Sequence, residues 1–127
     1  MWFAVHYPEL MIELERKTKI VGGGHIVTKY KVAPLFHPVN EGKMTGRQGR
    51  DLNQQGRRSG VPDLLLTVPR GNYSGLWLEM KAGKKKPETN QASWLIFLEK
   101  VGYSAKVCYS YDMAIETITN YMEGSER

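Results

Sequence analysis

Asp63 follows Pro62 at the start of a dense apolar run, and Glu79, Met80 and Lys81 close a second one. If the two runs are strands of one hairpin, the turn between them is short and they lie side by side. Residues two apart on a strand face the same way. Glu79 and Lys81 then share a face, while Leu78 and Met80 point to the core. Asp63, near its strand's start, comes close to Glu79 if the pairing register is right. Two neighbouring carboxylates repel unless a cation joins them. Hard oxygen donors of this type suit Mg²⁺ or Mn²⁺, which keep several waters for a nucleophile. The backbone carbonyl of Met80 is a candidate third ligand. A metal so held lowers the pKa of bound water and polarises a phosphate oxygen. Lys81 then positions or deprotonates the attacking water, or stabilises developing charge. The chemistry that such an arrangement would serve is phosphodiester hydrolysis. Spacing alone leaves a second reading open, with Glu79 and Lys81 as polar residues on a half-exposed strand and Asp63 as a turn residue.

Basic residues surround this set. Lys43, Arg47, Arg50, Arg57 and Arg58 precede Asp63, and Lys84, Lys85 and Lys86 follow Lys81. Residues 41–60 hold five glycines and five basic residues and almost nothing apolar, so they cannot build core. They form either a solvated loop, with a short helix near Arg50 to Gln55, or a grip on a polyanion. The whole chain carries 18 Lys and Arg against 13 Asp and Glu, a net charge of +5, which favours nucleic acid or an acidic membrane surface as partner. Each phosphate neutralised releases condensed counterions, so binding should weaken steeply with salt. The other fate of a charge run is a solubilising surface. No base-reading motif is present, which points to backbone or structure recognition.

The elements that must position these residues follow from periodicity. Leu10, Met11 and Leu14 predict a helix from Met1 to about Arg16, with Pro8 in an early turn. Gly22–Gly24 breaks it, and His25 to Leu35 alternates loosely enough for a short strand pair. Val61 to Val68, bounded by Pro62 and Pro69, predicts a buried strand. Residues 70–75 turn, and Leu76 to Ala82 returns. Thr89 caps a helix from Asn90 to about Val101, with Ala92, Leu95, Leu98 and Val101 as its stripe. Gly102 ends that helix. Ser104 to Ser110 is a third strand. Asp112 to Met122 is a closing helix burying Ala114, Ile118, Tyr121 and Met122. Trp94, Phe97 and Tyr103 read as core. Trp77 shares the face of Glu79 and Lys81, covering the site or packing under a helix. The order strand, strand, helix, strand, helix is an α/β sandwich around a short mixed sheet. At 127 residues the chain fits a single domain, 1–127.

The run Gly60-Val61-Pro62-Asp63-Leu64, then Gly75-Leu76-Trp77-Leu78-Glu79-Met80-Lys81, then Gln91 and Trp94, then Gly102-Tyr103, resembles the VRR-NUC family. That family is the virus-type replication-repair branch of the PD-(D/E)xK nuclease superfamily. The likeness spans about Phe36 to Tyr121. It implies a PD-(D/E)xK restriction-endonuclease-like core, with a short mixed sheet flanked by helices, and a metal-dependent phosphodiesterase activity. The family's aspartate falls on Asp63, its glutamate on Glu79, its lysine on Lys81 and its helix glutamine on Gln91, which orders the site or contacts substrate. Small stand-alone members look like junction resolvases of phage. The resemblance therefore implies branched or four-way junction DNA, and two symmetric cuts imply a homodimer.

Two departures stand out. A further family glutamate lies on a first helix ahead of a stretch resembling Trp2 and Tyr7-Pro8-Glu9-Leu10. It would fall before Met1, or Glu9, Glu13 or Glu15 would substitute, although these three read as solvated surface. The family's Asn-Gly-Gly-Lys-Arg-like loop is here His37-Pro38-Val39-Asn40-Glu41-Gly42-Lys43, preceded by an insertion between Ile12 and Ala33. That insertion weakens activity or serves partner contacts. A non-catalytic DNA-binding module on a nuclease fold is the alternative, and an RNA-directed or protein-interaction module a third reading.

The one cysteine, Cys108, excludes an internal disulfide and the usual cysteine-rich zinc site. In its alternating run it reads as a small buried apolar residue. His6, His25 and His37 are scattered; His37 either lines the site or is structural. No run reaches the roughly 20 apolar residues of a membrane span. The expectation is a cytoplasmic protein, in the host cytoplasm if phage-encoded.

Overall fold

The structure is a computed structural model and describes residues 2–38 and 59–124. The chain divides into two compact units, 1–35 and 36–127.

The first unit begins with a short helix α1 (Trp2–His6), in which the Trp2 and His6 rings stack at 4.7 Å, and a 3₁₀ turn at Pro8–Leu10. The helix expected to reach Arg16 stops there. Ile12–Lys19 is instead a strand, β1, paired antiparallel with β2 (His25–Val32) from Ile12↔Val32 to Lys19↔His25. The physical reason lies in the sequence beyond Met11. Ile12, Leu14, Arg16 and Thr18 alternate with Glu13, Glu15, Lys17 and Lys19, a period of two. Gly22, Gly23 and Gly24, all at positive φ, then turn the chain back on itself. The expected strand pair within His25–Leu35 is therefore one long strand plus β3 (Leu35–Phe36).

The second unit is a mixed sheet. Its strands are β3, β4 (Leu64–Leu66), β5 (Leu76–Met80) and β6 (Ser104–Cys108), in spatial order β3-β4-β5-β6. β4 and β5 run antiparallel with Leu64 opposite Leu78; β5 and β6 run parallel with Leu76 beside Ser104. A parallel neighbour needs a crossover, supplied by α2 (Thr89–Lys100). A second helix, α3 (Tyr111–Met122), closes the chain. The two helices cover opposite faces. Glu79 on β5 meets Gln91 of α2, whereas Cys108, on the face of Leu78, meets Thr117 of α3.

Leu66, Leu76 and Leu78 are fully buried and form the core with Val68, Leu98, Ala105 and the α3 stripe Ala114, Ile118, Tyr121 and Met122. Tyr121 Oη donates to Val68 O at 2.7 Å, and Arg70 Nε donates to Met122 O at 3.2 Å, tying α3 to the segment after β4. Gly75 lets two elements touch. A Cβ there would stand 2.8 Å from Leu66 O and 3.3 Å from the Tyr103 ring.

α2 departs from its expected orientation. Its N-cap is Glu88, with Thr89 already helical. Only Leu98 of its predicted stripe is buried; Ala92 and Leu95 are half-buried and Val101 is 51% exposed. Phe97, expected in the core, is 51% exposed. The face toward the sheet is set by Gln91 and Leu98 rather than by the largest apolar side chains.

Candidate active site

β5 ends where the proposed chemistry begins. Both of its faces are covered, so Glu79 is a buried carboxylate, 2% exposed, and not one side of a half-exposed strand. A buried charge needs compensation. Glu79 Oε1 accepts a hydrogen bond from Gln91 Nε2 at 3.1 Å and pairs with Lys81 Nζ at 3.8 Å. The Lys81 side chain is itself mostly buried, 16% exposed. The two-residue spacing thus does bring Glu79 and Lys81 together.

Asp63 stands one residue before β4. The register that sets Leu64 opposite Leu78 sets Asp63 opposite Glu79, where antiparallel neighbours hold their Cβ atoms about 4.5–5.5 Å apart. Its side chain extends the pairing. Met80 N–H donates to Asp63 Oδ2 at 2.8 Å, so a carboxylate takes the place of a ladder carbonyl. On the other side of β5 the ladder is conventional, with Lys81 N–H donating to Cys108 O at 2.9 Å.

Gln91 holds its amide in one orientation for a local reason. Its Oε1 accepts the Glu88 N–H at 2.9 Å, half of a capping box with Glu88 at the N-cap and Gln91 at the third helical position. With the amide oxygen engaged at the helix end, the amide nitrogen is the atom turned to Glu79.

Ser59 and Asn90 went unread in the sequence. Asn90 Nδ2 donates to Ser59 Oγ at 2.9 Å, and Trp94 Nε1 donates to Ser59 O at 3.1 Å. Gly60, at φ +87°, packs so closely that a Cβ would lie 2.9 Å from Asn90 Cγ. The turn leading into Pro62 and Asp63 is thereby clamped to the first turns of α2. The glycine ahead of Pro62 and the Asn90-Gln91 pair were the available signals. Trp94, expected in the core, is half-buried and spends its indole N–H on this clamp. Trp77 is half-buried on the Glu79 face, edge-on to Tyr103 at 6.3 Å.

The remaining candidates divide. Lys84, Lys85 and Lys86 are exposed on the loop after β5. Lys43, Arg47, Arg50, Arg57 and Arg58 lie outside the described residues. His37 is exposed and bonded to the next carbonyl, Pro38 O, at 2.9 Å. Glu9, Glu13 and Glu15 are exposed, and the last two each lie 3.9 Å from Lys29, consistent with solvated surface. Cys108 is fully buried. Burial pushes its thiol above the ordinary value, and the Thr117 hydroxyl pulls it back in part.

A mixed sheet between helices with an acid–lysine strand end is the layout of a nuclease-type domain. A family model for the VRR-NUC domain matches residues 38–112, and the chain belongs to that family. A solved structure described as a VRR_NUC domain protein is similar at 28% identity and a TM-score of 0.58, over 70% of this chain and 67% of the other. No curated protein matches. Among the described residues no helix is long and apolar enough to cross a membrane.

Nucleases of this family generally use divalent metals. The donor chemistry here is compatible. Asp63, one residue before β4, and Glu79, on β5, are hard oxygen donors set opposite one another by the strand register. Among the described residues no group of three or more His, Cys, Asp and Glu converges. Two carboxylates and a carbonyl would leave the other positions to water and phosphate, which suits Mg²⁺ or Mn²⁺.

Proposed function

We propose that this chain is a Mg²⁺- or Mn²⁺-dependent DNA endonuclease, selective for branched or four-way junction DNA and of the phage or prophage replication-repair type. The observation that carries this reading is Asp63, Glu79 and Lys81 gathered at the end of β5, with Gln91 fixing the glutamate. Asp63, Glu79 and the Met80 carbonyl would hold the metal. When bound, such an ion supplies Lewis acidity and a water of lowered pKa. Lys81 orients that water or stabilises charge on the phosphate oxygens. Gln91, whose amide N–H donates to Glu79, would hold the carboxylate in place. Met80 N–H does the same for Asp63.

DNA is the substrate class that the nuclease family implies. Lys84, Lys85 and Lys86, which follow Lys81 on the loop after β5, with Lys43, Arg47, Arg50, Arg57 and Arg58 of residues 41–60, would neutralise its backbone. The whole chain, 1–127, would act as one domain in the cytoplasm, and two symmetric cuts call for a homodimer.

The test is cleavage of four-way junction and linear duplex DNA with Mn²⁺, comparing the protein with Asp63→Ala. The expected result is metal-dependent junction cleavage lost in the variant; equal cleavage by both would refute the assignment. One observation favours a second reading. Lys81 Nζ lies 3.8 Å from the buried Glu79 carboxylate, an ion pair that a non-catalytic DNA-binding module on this fold would also keep. Salt-sensitive DNA binding with no cleavage in any divalent metal would select it.

A further inference from the structure

The β1–β2 hairpin is exposed along almost its whole length. Ile12, Leu14, Ile26 and Tyr30 lie on one face and are 39–54% exposed. A two-stranded hairpin is marginally stable alone in water, and more strands with a shared apolar face are needed. Among the described residues each of its strands pairs only with the other, so both outer edges offer a ladder to another strand.

The charges decide which edge and which partner. The other face of β1 carries Glu13, Glu15, Lys17 and Lys19 in order, two negative then two positive. Such a strand is complementary to itself when reversed. In an antiparallel pairing centred on Arg16, Glu13 stands opposite Lys19 of the second copy and Glu15 opposite Lys17. The two-fold gives four opposite-charge pairs. Shifting the centre by one residue to either side sets Glu15 opposite Glu15 or Lys17 opposite Lys17, which costs stability. The cost of the chosen register is Arg16 against Arg16 at the axis. The same face of β2 reads His25, Val27, Lys29, Lys31, which reversed on itself forms no opposite-charge pair in any register. β2 is therefore the unsuited edge.

We propose that β1 pairs antiparallel with β1 of a second copy of this chain, in the register centred on Arg16, making a four-stranded sheet β2-β1-β1-β2. This assigns a surface to the dimer proposed above and rests on that dimeric reading, not on the chemistry. The joined sheet gathers Ile12, Leu14, Ile26 and Tyr30 of both copies on one face. It gives the insertion between Ile12 and Ala33 a structural role.

The test is sedimentation equilibrium of two charge-swapped proteins. One carries Glu13→Lys, Glu15→Lys, Lys29→Glu and Lys31→Glu, which keeps the cross-strand pairs Glu13↔Lys31 and Glu15↔Lys29 with their signs exchanged. The other carries Lys17→Glu and Lys19→Glu. The protein itself should be dimeric, and each variant alone should be monomeric, with dimer affinity lowered at least ~10-fold, about 1.4 kcal/mol. Mixing the two variants should restore a dimer, because an all-lysine edge meets an all-glutamate edge; this recovery also excludes misfolding. Variants that stay dimeric alone, or that stay monomeric on mixing, would overturn the β1 interface while leaving the dimer standing. A monomeric parent protein would overturn both, with the nuclease reading still decided by the cleavage assay.

Discussion

Gln91 is the residue on which the candidate site turns, because one amide serves two masters. Its oxygen ends the helix and its nitrogen reaches a buried carboxylate. Removing such a supporting contact typically costs 10–100-fold in metal affinity or activity. Gln91→Ala should therefore weaken Mn²⁺ affinity by roughly that factor, read by calorimetry, with a smaller loss of helix stability. This position was legible from its place in the motif, and the capping-box spacing Glu88 to Gln91 was also there to be read. What the sequence did not disclose was that both uses fall on the same side chain. Cys108 offers a second check. Its thiol is held above its ordinary pKa by burial, so the folded state keeps the proton longer than the unfolded chain. The stability linked to it is full below the ordinary thiol pKa and is lost as pH rises through the raised value. Alkylation of the native protein by iodoacetamide should accordingly be slow near neutral pH, and Thr117→Val should slow it further. Fast labelling would contradict both the burial and the sign.

At the scale of elements, the clamp between the Ser59–Gly60 turn and α2 links strand entry to helix start. Gly60→Ala meets a left-handed φ and a contact of 2.9 Å to Asn90. The backbone term alone is about 1–3 kcal/mol, so a lowered unfolding midpoint is expected together with impaired cleavage, since Asp63 is three residues on. Leu78→Ala, at a fully buried position, should cost roughly 2–5 kcal/mol in denaturant unfolding. The order from β4 to α3 followed from periodicity, bounding prolines and caps. β4 is shorter than its apolar run, which Pro62 and Pro69, each without a backbone donor, bound on either side of Leu64–Leu66. The first sixteen residues misled. Leu10, Met11 and Leu14 satisfy a helical spacing, yet the alternation beyond Met11 and the triple glycine make a hairpin. α2 misled differently: its apolar residues are spread around the helix, so their count could not say which side meets the sheet.

At the scale of the whole molecule, charge sets the terms of association. With a net charge of +5, binding to DNA should weaken as salt rises, by about one unit of slope in a double-logarithmic plot for each lysine that neutralises a phosphate. Replacing Lys84, Lys85 and Lys86 by alanine should flatten that slope for duplex and junction alike. An unchanged slope would place the DNA elsewhere. Family membership was readable because the motif residues fall within one continuous stretch. The use of the hairpin was not, since no pattern inside one chain announces a second.

The bond from the Met80 amide to Asp63 makes that proton a built-in gauge. Its magnetic resonance frequency must follow the electron density on the carboxylate. Titrating ¹⁵N-labelled protein with Mg²⁺ should move the Met80 cross-peak early and strongly, while amides bonded to ladder carbonyls, such as Lys81, move little. Loading of the proposed ion would thus be visible with no DNA in the tube.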